Sequence, residues 1–464
     1  MNVPKELLRA ILVKLPTRDV ARCCYVCRLW RAVVSKPSFR DLHAANHAAD
    51  SADAELLLVS ERRVPGWTDE ASVFNVSSGK PMLPVTIPRG YSLANVCNGF
   101  LCFFHGDEAK APPVVCNPVT GEKLTLPREG PAPGDHLSHL VALGFSPSTH
   151  EYKLFRFSFC PDNSYPGNRV HLHVHTLGAT GGGGGGGGGW RHHFYLSVAR
   201  PIRYNPPLYI DGKLYLVNTG SAQSDYRRIA DRMLVLDVAT ETRRMYRLPY
   251  PKAQARHWNP LVDAFEMNGK LCLAVNVLLG HYGRNIQFWV MSPPPDEQHL
   301  HVKDEEDDGY DDDHDSDDYK LYWDLRYSFH VDDRYSDFQM TAAWLDGGGM
   351  LCYRHGDTLY KYDTRIHSAS PDPMAHYCPP YDHKLQLPAT APSSFKCEQD
   401  TREYRPFITC HWDMSWDIYC GYRPTLLSPL ALSPPPRQDD YDEDHSGDKL
   451  EQDVLNIVRC HQEI

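Results

Sequence analysis

No stretch of this 464-residue chain is long and apolar enough to read as a membrane helix. A span needs about 20 such residues, and the longest run, around Leu271–Gly280, is roughly half of that and contains Asn276. No secretory leader is expected either, because Lys5, Arg9 and Lys14 interrupt the Leu and Ile pairs near the N-terminus. The 14 cysteines are scattered without a disulfide framework, so reduced thiols in the cytosol or nucleus are expected. An excess of basic charge is also missing. Net charge is −11, and the run Asp304–Asp318 alone carries 11 acidic residues and no base, so the rest of the chain sums to zero. That excludes the electrostatic footprint of a nucleic-acid binder. The acidic run reads as a solvated insert, dispensable for folding, or as a docking segment for a basic partner. It lacks the residue order of a calcium loop. Nucleophile-elbow, His-Glu-x-x-His, P-loop and kinase motifs are all absent. Nine glycines, Gly181–Gly189, form no phosphate cradle, since no Gly-Lys-Ser/Thr follows them.

What is present changes character near residue 46. Before it the chain has almost no glycine and a period of 3.6. Leu7, Leu8, Ile11, Leu12 and Leu15 make one broad apolar stripe after Pro4, which suits a first helical turn. Pro16 ends that helix, and Thr17 reads as the N-cap of a second, with Asp19 in its first turn. Val20, Cys23 and Cys24 lie on the second helix. Val26, Cys27, Trp30, Val33 and Val34 lie on a third that ends before Pro37. Three short helices cannot hide this many apolar side chains among themselves, so a docking face is expected.

Pro4, Leu7-Leu8, Ile11-Leu12, Leu15-Pro16, Asp19-Val20, Val26-Cys27-Arg28, Trp30-Arg31, Pro37, Phe39 and His43 give this segment a close resemblance to an F-box of the plant type. The Met1-Asn2-Val3 start departs from the Leu or Ile that usually precedes the proline. The resemblance implies docking on a Skp-type adaptor, and through it on a cullin scaffold. Its contact residues would be drawn from Pro4, Leu7, Leu8, Ile11, Leu12, Leu15, Val20, Val26 and Trp30. Some of these must be internal core instead, Trp30 foremost. Cys24-x-x-Cys27 has no second half at metal-finger spacing and is not read as a zinc site.

From residue 50 to about 425 short alternating runs and frequent turn signals read as all-β. One hairpin signal recurs at Phe74-Asn75, Cys116-Asn117, Phe145-Ser146, Leu236-Asp237 and Tyr362-Asp363. A turn glycine followed by an apolar strand recurs at Asn98-Gly99, Asp211-Gly212, Asn268-Gly269 and Gly348-Gly349. Asn75 to Asn117 is 42 residues, and the intervals of 120 and 126 to Asp237 and Asp363 each read as three such units. A period of this size with several strands is the signature of a propeller blade, and six to eight irregular blades are expected. Asn117-Pro118, Leu143-Gly144-Phe145 and Tyr152-Lys153 also resemble the F-box-associated β-propeller of plant F-box proteins. An irregular pair of β-sandwiches is the alternative.

The expected organisation is therefore α+β and multidomain: a three-helix unit over 1–46, a propeller-like domain over 47–425, and a Pro-rich, acidic, disordered tail over 426–464. Leu450, Val454, Leu455 and Val458 could give that tail a short helix. His171, His173 and His175 alternate on one strand and His192-His193 lies across the glycine run. They read as an exposed strand beside a flexible loop, so neither metal nor cofactor is expected. The function implied is a non-catalytic substrate receptor of an SCF-type ubiquitin ligase that binds an unknown target protein. The rivals are a propeller enzyme or lectin with a vestigial cap, and an F-box scaffold acting outside ubiquitin ligases.

Overall fold

The structure is a computed structural model. It describes residues 4–47, 55–62, 72–75, 80–81, 91–105, 111–126, 138–162, 167–178, 190–198, 206–217, 232–249, 261–267, 269–279, 283–292, 322–332, 342–345, 350–355, 358–363 and 414–432. The glycine run, the acidic run and the tail beyond 432 lie outside the described residues.

Four helices open the chain: α1 (Lys5–Leu12), α2 (Thr17–Cys23), α3 (Arg28–Val34) and α4 (Pro37–His47). The sequence predicts three. Pro37 does not only stop α3; it is also the first residue of α4, where its missing N–H costs nothing. Thr17 also departs from expectation. Pro16 holds the N-cap position of α2, and the Thr17 hydroxyl donates instead to the carbonyl of Pro424 at 3.1 Å.

All the sheets are antiparallel and, among the described residues, there are six. The second has the order β4 (Tyr91–Cys97), β5 (Phe100–His105), β6 (Val114–Cys116), β7 (Lys123–Thr125). The third runs β8 (Ser138–Ser146), β9 (Glu151–Asp162), β10 (Gly167–Thr176), β11 (Arg191–Val198). The fourth runs β12 (Leu208–Ile210), β13 (Lys213–Val217), β14 (Arg232–Asp237), β15 (Arg243–Arg247). The fifth runs β16 (Leu261–Met267), β17 (Lys270–Leu279), β18 (Gly283–Ser292), β19 (Tyr322–Asp332). The sixth has β20 (Ala342–Leu345), β21 (Met350–His355) and β22 (Thr358–Asp363). The first sheet joins the two ends of the β region. Its outer strands are β1 (Glu55–Arg62), β2 (Ser72–Asn75) and β3 (Lys80–Pro81), and its inner strand is β23 (Met414–Tyr422). Leu58 pairs with Ile418 and Val59 with Asp417 across that seam. The inner strand β23 neighbours β4 on one side and β20 on the other, and β16 neighbours β12 and β20. The innermost strands therefore close a ring, which is a six-bladed propeller.

The blade spacing differs from the period read in sequence. Asn117 closes the third strand of the second blade and Asp237 that of the fourth, two blades apart rather than three. Long connections stretch the later blades to about half again the 42-residue interval between Asn75 and Asn117. The turn signals themselves are local chemistry and hold. The Asn117 Oδ1 accepts the backbone N–H of Val119 at 2.8 Å, and Asp237 Oδ1 accepts that of Thr240 at 2.9 Å. Strand β10 pairs with β11 across the glycine run.

Apolar clusters lie between blades. Leu143, Leu154 and Leu177 of the third blade pack with Phe100, Cys102 and Val115 of the second. Phe155, Leu172 and Val174 pack with Leu214, Leu234 and Leu236 of the fourth. Polar groups fix the register between neighbours. Asn95 is buried on β4, donates to the Leu143 carbonyl at 2.8 Å and accepts the Leu143 N–H at 2.9 Å. Between the third and fourth blades, Lys153 Nζ lies 2.8 Å from Glu241 Oε1, both side chains 7 % exposed. Arg191 pairs with the same carboxylate, and His193 Nδ1 sits 3.7 Å from its other oxygen. Burial would raise the Glu241 pKa; the hydrogen bonds from Arg191 and Lys153 outweigh that and hold it below its ordinary value. Removing this carboxylate strands a buried ammonium. Glu241→Gln is expected to cost about 3 kcal/mol in chemical denaturation; a loss below about 0.5 kcal/mol would show that water already screens the pair.

Candidate functional site

The helices gather around one small core made of Leu8, Leu12, Val20, Val33, Val34 and Phe39. The packing is not confined to the helices. Leu426, 2 % exposed, completes this core, and Val119 from the turn between β6 and β7 packs against it. A strap, Arg423–Leu432, thus leaves the ring-closing strand β23 and passes between the helices and the propeller. Four contacts seat it. Arg423 pairs with Glu266 at the end of β16. Asn117, fully buried, donates to the carbonyls of Thr425 and Leu427 at 2.9 and 2.7 Å. The Thr17 hydroxyl of α2 holds the Pro424 carbonyl. The strap finishes in a 3-10 turn, Pro429–Leu432, with Leu427 and Leu432 against the cluster between the second and third blades. Separately, Arg40 of α4 pairs with Glu122 on the turn after β6 at 3.1 Å, both partly exposed. The packed chain therefore continues past the boundary at residue 425 that composition suggests.

At Gly99 the strap comes closest to the β4–β5 turn. This residue has φ +81°, and a Cβ there would overlap the Arg423 carbonyl and the Thr425 side chain. Only glycine meets both demands. The α4 helix is tied to the α1–α2 corner by histidines. His43 Nε2 lies 2.9 Å from the Leu15 carbonyl and His47 Nε2 3.2 Å from that of Val13, with the two rings 4.4 Å apart.

The structure splits the expected adaptor-contact residues into two groups. Leu8, Leu12 and Val20 are fully buried in the shared core, and Leu15 and Trp30 pack partly buried against it. Their side chains pack beneath the exposed flank of the stripe and support it. Pro4, Leu7, Ile11 and Val26 are on the surface, Leu7 at 53 %, Ile11 at 48 % and Val26 at 63 % exposure. Tyr25 and Leu42 are exposed in the same unit. Sequence periodicity could not separate the groups, because Leu7 and Leu8 lie on the same wide stripe and the packing of α2–α4 and the strap decides which flank is covered. Tyr25 and Leu42 carried no motif signal.

Elsewhere the candidate residues have structural surroundings. His171 and His173 are half-buried and His175 is buried on β10, not on an exposed strand. His171 Nδ1 faces His192 Nε2 at 3.4 Å, and His175 stacks on Trp190. No metal-ligating group of three gathers among the described residues. Cys23, Cys24, Cys27, Cys97, Cys102, Cys116 and Cys272 are free thiols. Burial pushes the Cys116 thiol up to about 12 and raises Cys97 and Cys102 as well, so these stay protonated. No helix among the described residues is long and apolar enough to cross a membrane.

Against this geometry, residues 1–43 match the F-box-like family, and residues 69–299 match the F-box associated beta propeller domain. The chain joins an F-box-like unit to an F-box associated beta propeller domain, and the relatives it matches include plant F-box proteins. Among its relatives is the Arabidopsis thaliana F-box protein At1g53790, 29 % identical over 27 % of this chain and 30 % of the relative. The putative F-box protein At5g15660 of the same plant is 30 % identical over 27 % of this chain and 29 % of its own length. The putative F-box protein At1g53370, again from Arabidopsis thaliana, is 25 % identical over 36 % of this chain and 44 % of itself. This F-box protein thus spans less than half the length of each of these relatives. The WD40 domain of SCAP from fission yeast aligns over 65 % of this chain and 80 % of that one, at 9 % identity and a TM-score of 0.31, a likeness too weak to bear on the fold.

His43 gives the F-box unit a pH dependence. Its ring is buried, which lowers its pKa; the Leu15 carbonyl opposes the shift and His47 adds to it. A group with a depressed folded pKa contributes stability that is complete above its unfolded value, about 6.5, and is lost as pH falls. The midpoint of unfolding followed by the helical far-UV signal should drop as pH falls from 7.5 to 5.5. His43→Gln, which keeps a donor for the Leu15 carbonyl without titrating, should flatten that slope. An unchanged slope would place the titration elsewhere.

Proposed function

We propose that this F-box protein is the substrate-recognition subunit of an SCF-type ubiquitin ligase. The F-box unit docks on a Skp-type adaptor, which connects it to a cullin scaffold, and the propeller binds the target protein. The observation that carries this reading is the partition of the helical stripe. Leu8 and Leu12 anchor the unit to the strap, and their neighbours Leu7 and Ile11 stay uncovered on α1 with Val26 and Pro4. An uncovered apolar surface of that kind on a small unit is a protein-docking surface. The chain then performs no chemistry. It supplies proximity, holding the target near a ubiquitin-loaded enzyme and raising its effective concentration there. The free thiols of these seven cysteines suit a reducing compartment, the cytosol or nucleus. The helices and the strap occupy one face of the ring, at the ends of β16 and β23 and the β6–β7 turn. The target accordingly takes the opposite face.

The test is adaptor affinity. Leu7 and Ile11 are already about half covered, so docking removes only the remainder of each from water. The pair Leu7→Ala and Ile11→Ala should lose about 2–3 kcal/mol, a factor of roughly 30 to 150 in Kd. The far-UV spectrum should be unchanged, since neither side chain belongs to the shared core. Leu8→Ala should instead destabilise the fold, by about 2–5 kcal/mol. Wild-type protein that binds no Skp-type adaptor at micromolar concentration would overturn the reading.

A further inference from the structure

The F-box unit is unlike the rest of the molecule in charge. Residues 1–47 hold nine Lys or Arg against three Asp or Glu, so the overall neutrality outside the acidic run conceals a basic unit. Ion pairs join Arg22 to Asp19 and Arg40 to Glu122. Lys5, Arg9, Lys14, Arg28, Arg31 and Lys36 are exposed. The same unit exposes Leu7, Ile11, Tyr25 and Val26.

The described chain reaches Leu432 on the face of the ring that carries the helices, only a few residues after Leu426 enters their core. The segment beyond Leu432 has the complementary composition. Residues 433–464 hold nine Asp or Glu against three Lys or Arg, with Asp439, Asp440, Asp442, Glu443 and Asp444 clustered. After that cluster, Leu450, Val454, Leu455 and Val458 repeat at i, i+4, i+5 and i+8, the spacing of an apolar helical stripe. The intervening number of residues corresponds to a coil reach of roughly 20–25 Å, while α1 is about 12 Å long. A tether of that reach presents the segment to the helices at about millimolar effective concentration.

We propose that residues 433–464 fold back onto α1 and the α2–α3 corner, the acidic cluster meeting the basic side chains and the apolar stripe covering Leu7 and Ile11. The segment then competes with the adaptor for this face. The competition rests on the adaptor reading; the docking does not. The acidic run 304–318 connects β18 to β19 and has the charge but no apolar stripe, so it cannot cover Leu7 and Ile11.

The experiment uses the full chain. A carbodiimide joins carboxylates to lysines in contact, and mass spectrometry locates the products. Cross-links from residues 439–444 to Lys5 and Lys14 are expected within one chain, and they should vanish when those five acids are replaced by Asn or Gln. The same neutralised variant, and separately Leu450→Ala with Leu455→Ala, should bind a Skp-type adaptor at least fivefold more tightly than wild type. Cross-links to Lys5 and Lys14 from residues 304–318, or between two copies of the chain, would overturn the docking. Unchanged adaptor affinity in both variants would overturn the competition. A chain that binds no adaptor would refute the receptor reading, and the cross-links would still decide the docking.

Discussion

The pairing of β1 with β23 is the constraint on which this molecule depends. A propeller blade cannot bury both of its faces alone; it needs a neighbour on each side, and an open ring leaves two blades with apolar faces in water. Here the seam lies inside one sheet, whose outer three strands come from the start of the β region and whose inner strand comes from its end. Tyr422, fully buried beside Leu57, Leu93 and Leu101, anchors that inner strand, and the Tyr419 hydroxyl donates to the Leu93 carbonyl of the next blade at 2.9 Å. Closing the ring therefore requires chain elements more than 300 residues apart, an ordering cost met by cooperative packing.

The strap extends this closure to the helices. The residues after β23 are gripped by Arg423–Glu266 and Asn117, and they place Leu426 in the helical core. A four-helix unit of this size has few apolar residues of its own and would be marginal alone. Borrowing Leu426 and Val119 gives it a floor, and together with α2–α4 they cover the Leu8–Leu12 flank of the α1 stripe. The uncovered flank then becomes the surface available to a partner, and its orientation to the propeller face is set by the same contacts.

Much of this was legible in the sequence. The stripe from Leu7 to Leu15 and the prolines at 4 and 16 place the first two helices, because helix periodicity and proline stereochemistry are local. Turn words such as Asn117-Pro118 and Asp211-Gly212 mark hairpins for the same reason. The long-range features were not legible. The Thr17 hydroxyl reads as a cap, and its partner is 407 residues away. Glu241 sits in an ordinary turn sequence, and nothing nearby announces that Lys153 and Arg191 converge on it. The blade count within the allowed range depended on lengths of connections, to which hairpin chemistry is indifferent. The residues after 425 look like a Pro-rich tail, and composition gives no sign that Leu426 fills a core.

The central claim is that ring closure and the F-box unit are one cooperative structure joined by the strap. Hydrogen exchange of the full chain carrying Gly99→Ala, or Asn117→Ala, tests it most directly. The first forces a Cβ against the strap backbone, and the second leaves the buried Thr425 carbonyl and the half-buried Leu427 carbonyl without their donor, at a cost of about 1–3 kcal/mol. The account predicts that amides of α1–α4 and of β1 and β23 lose protection together, by a common factor of roughly ten or more. Helices that keep wild-type protection while β1 and β23 lose theirs would contradict it.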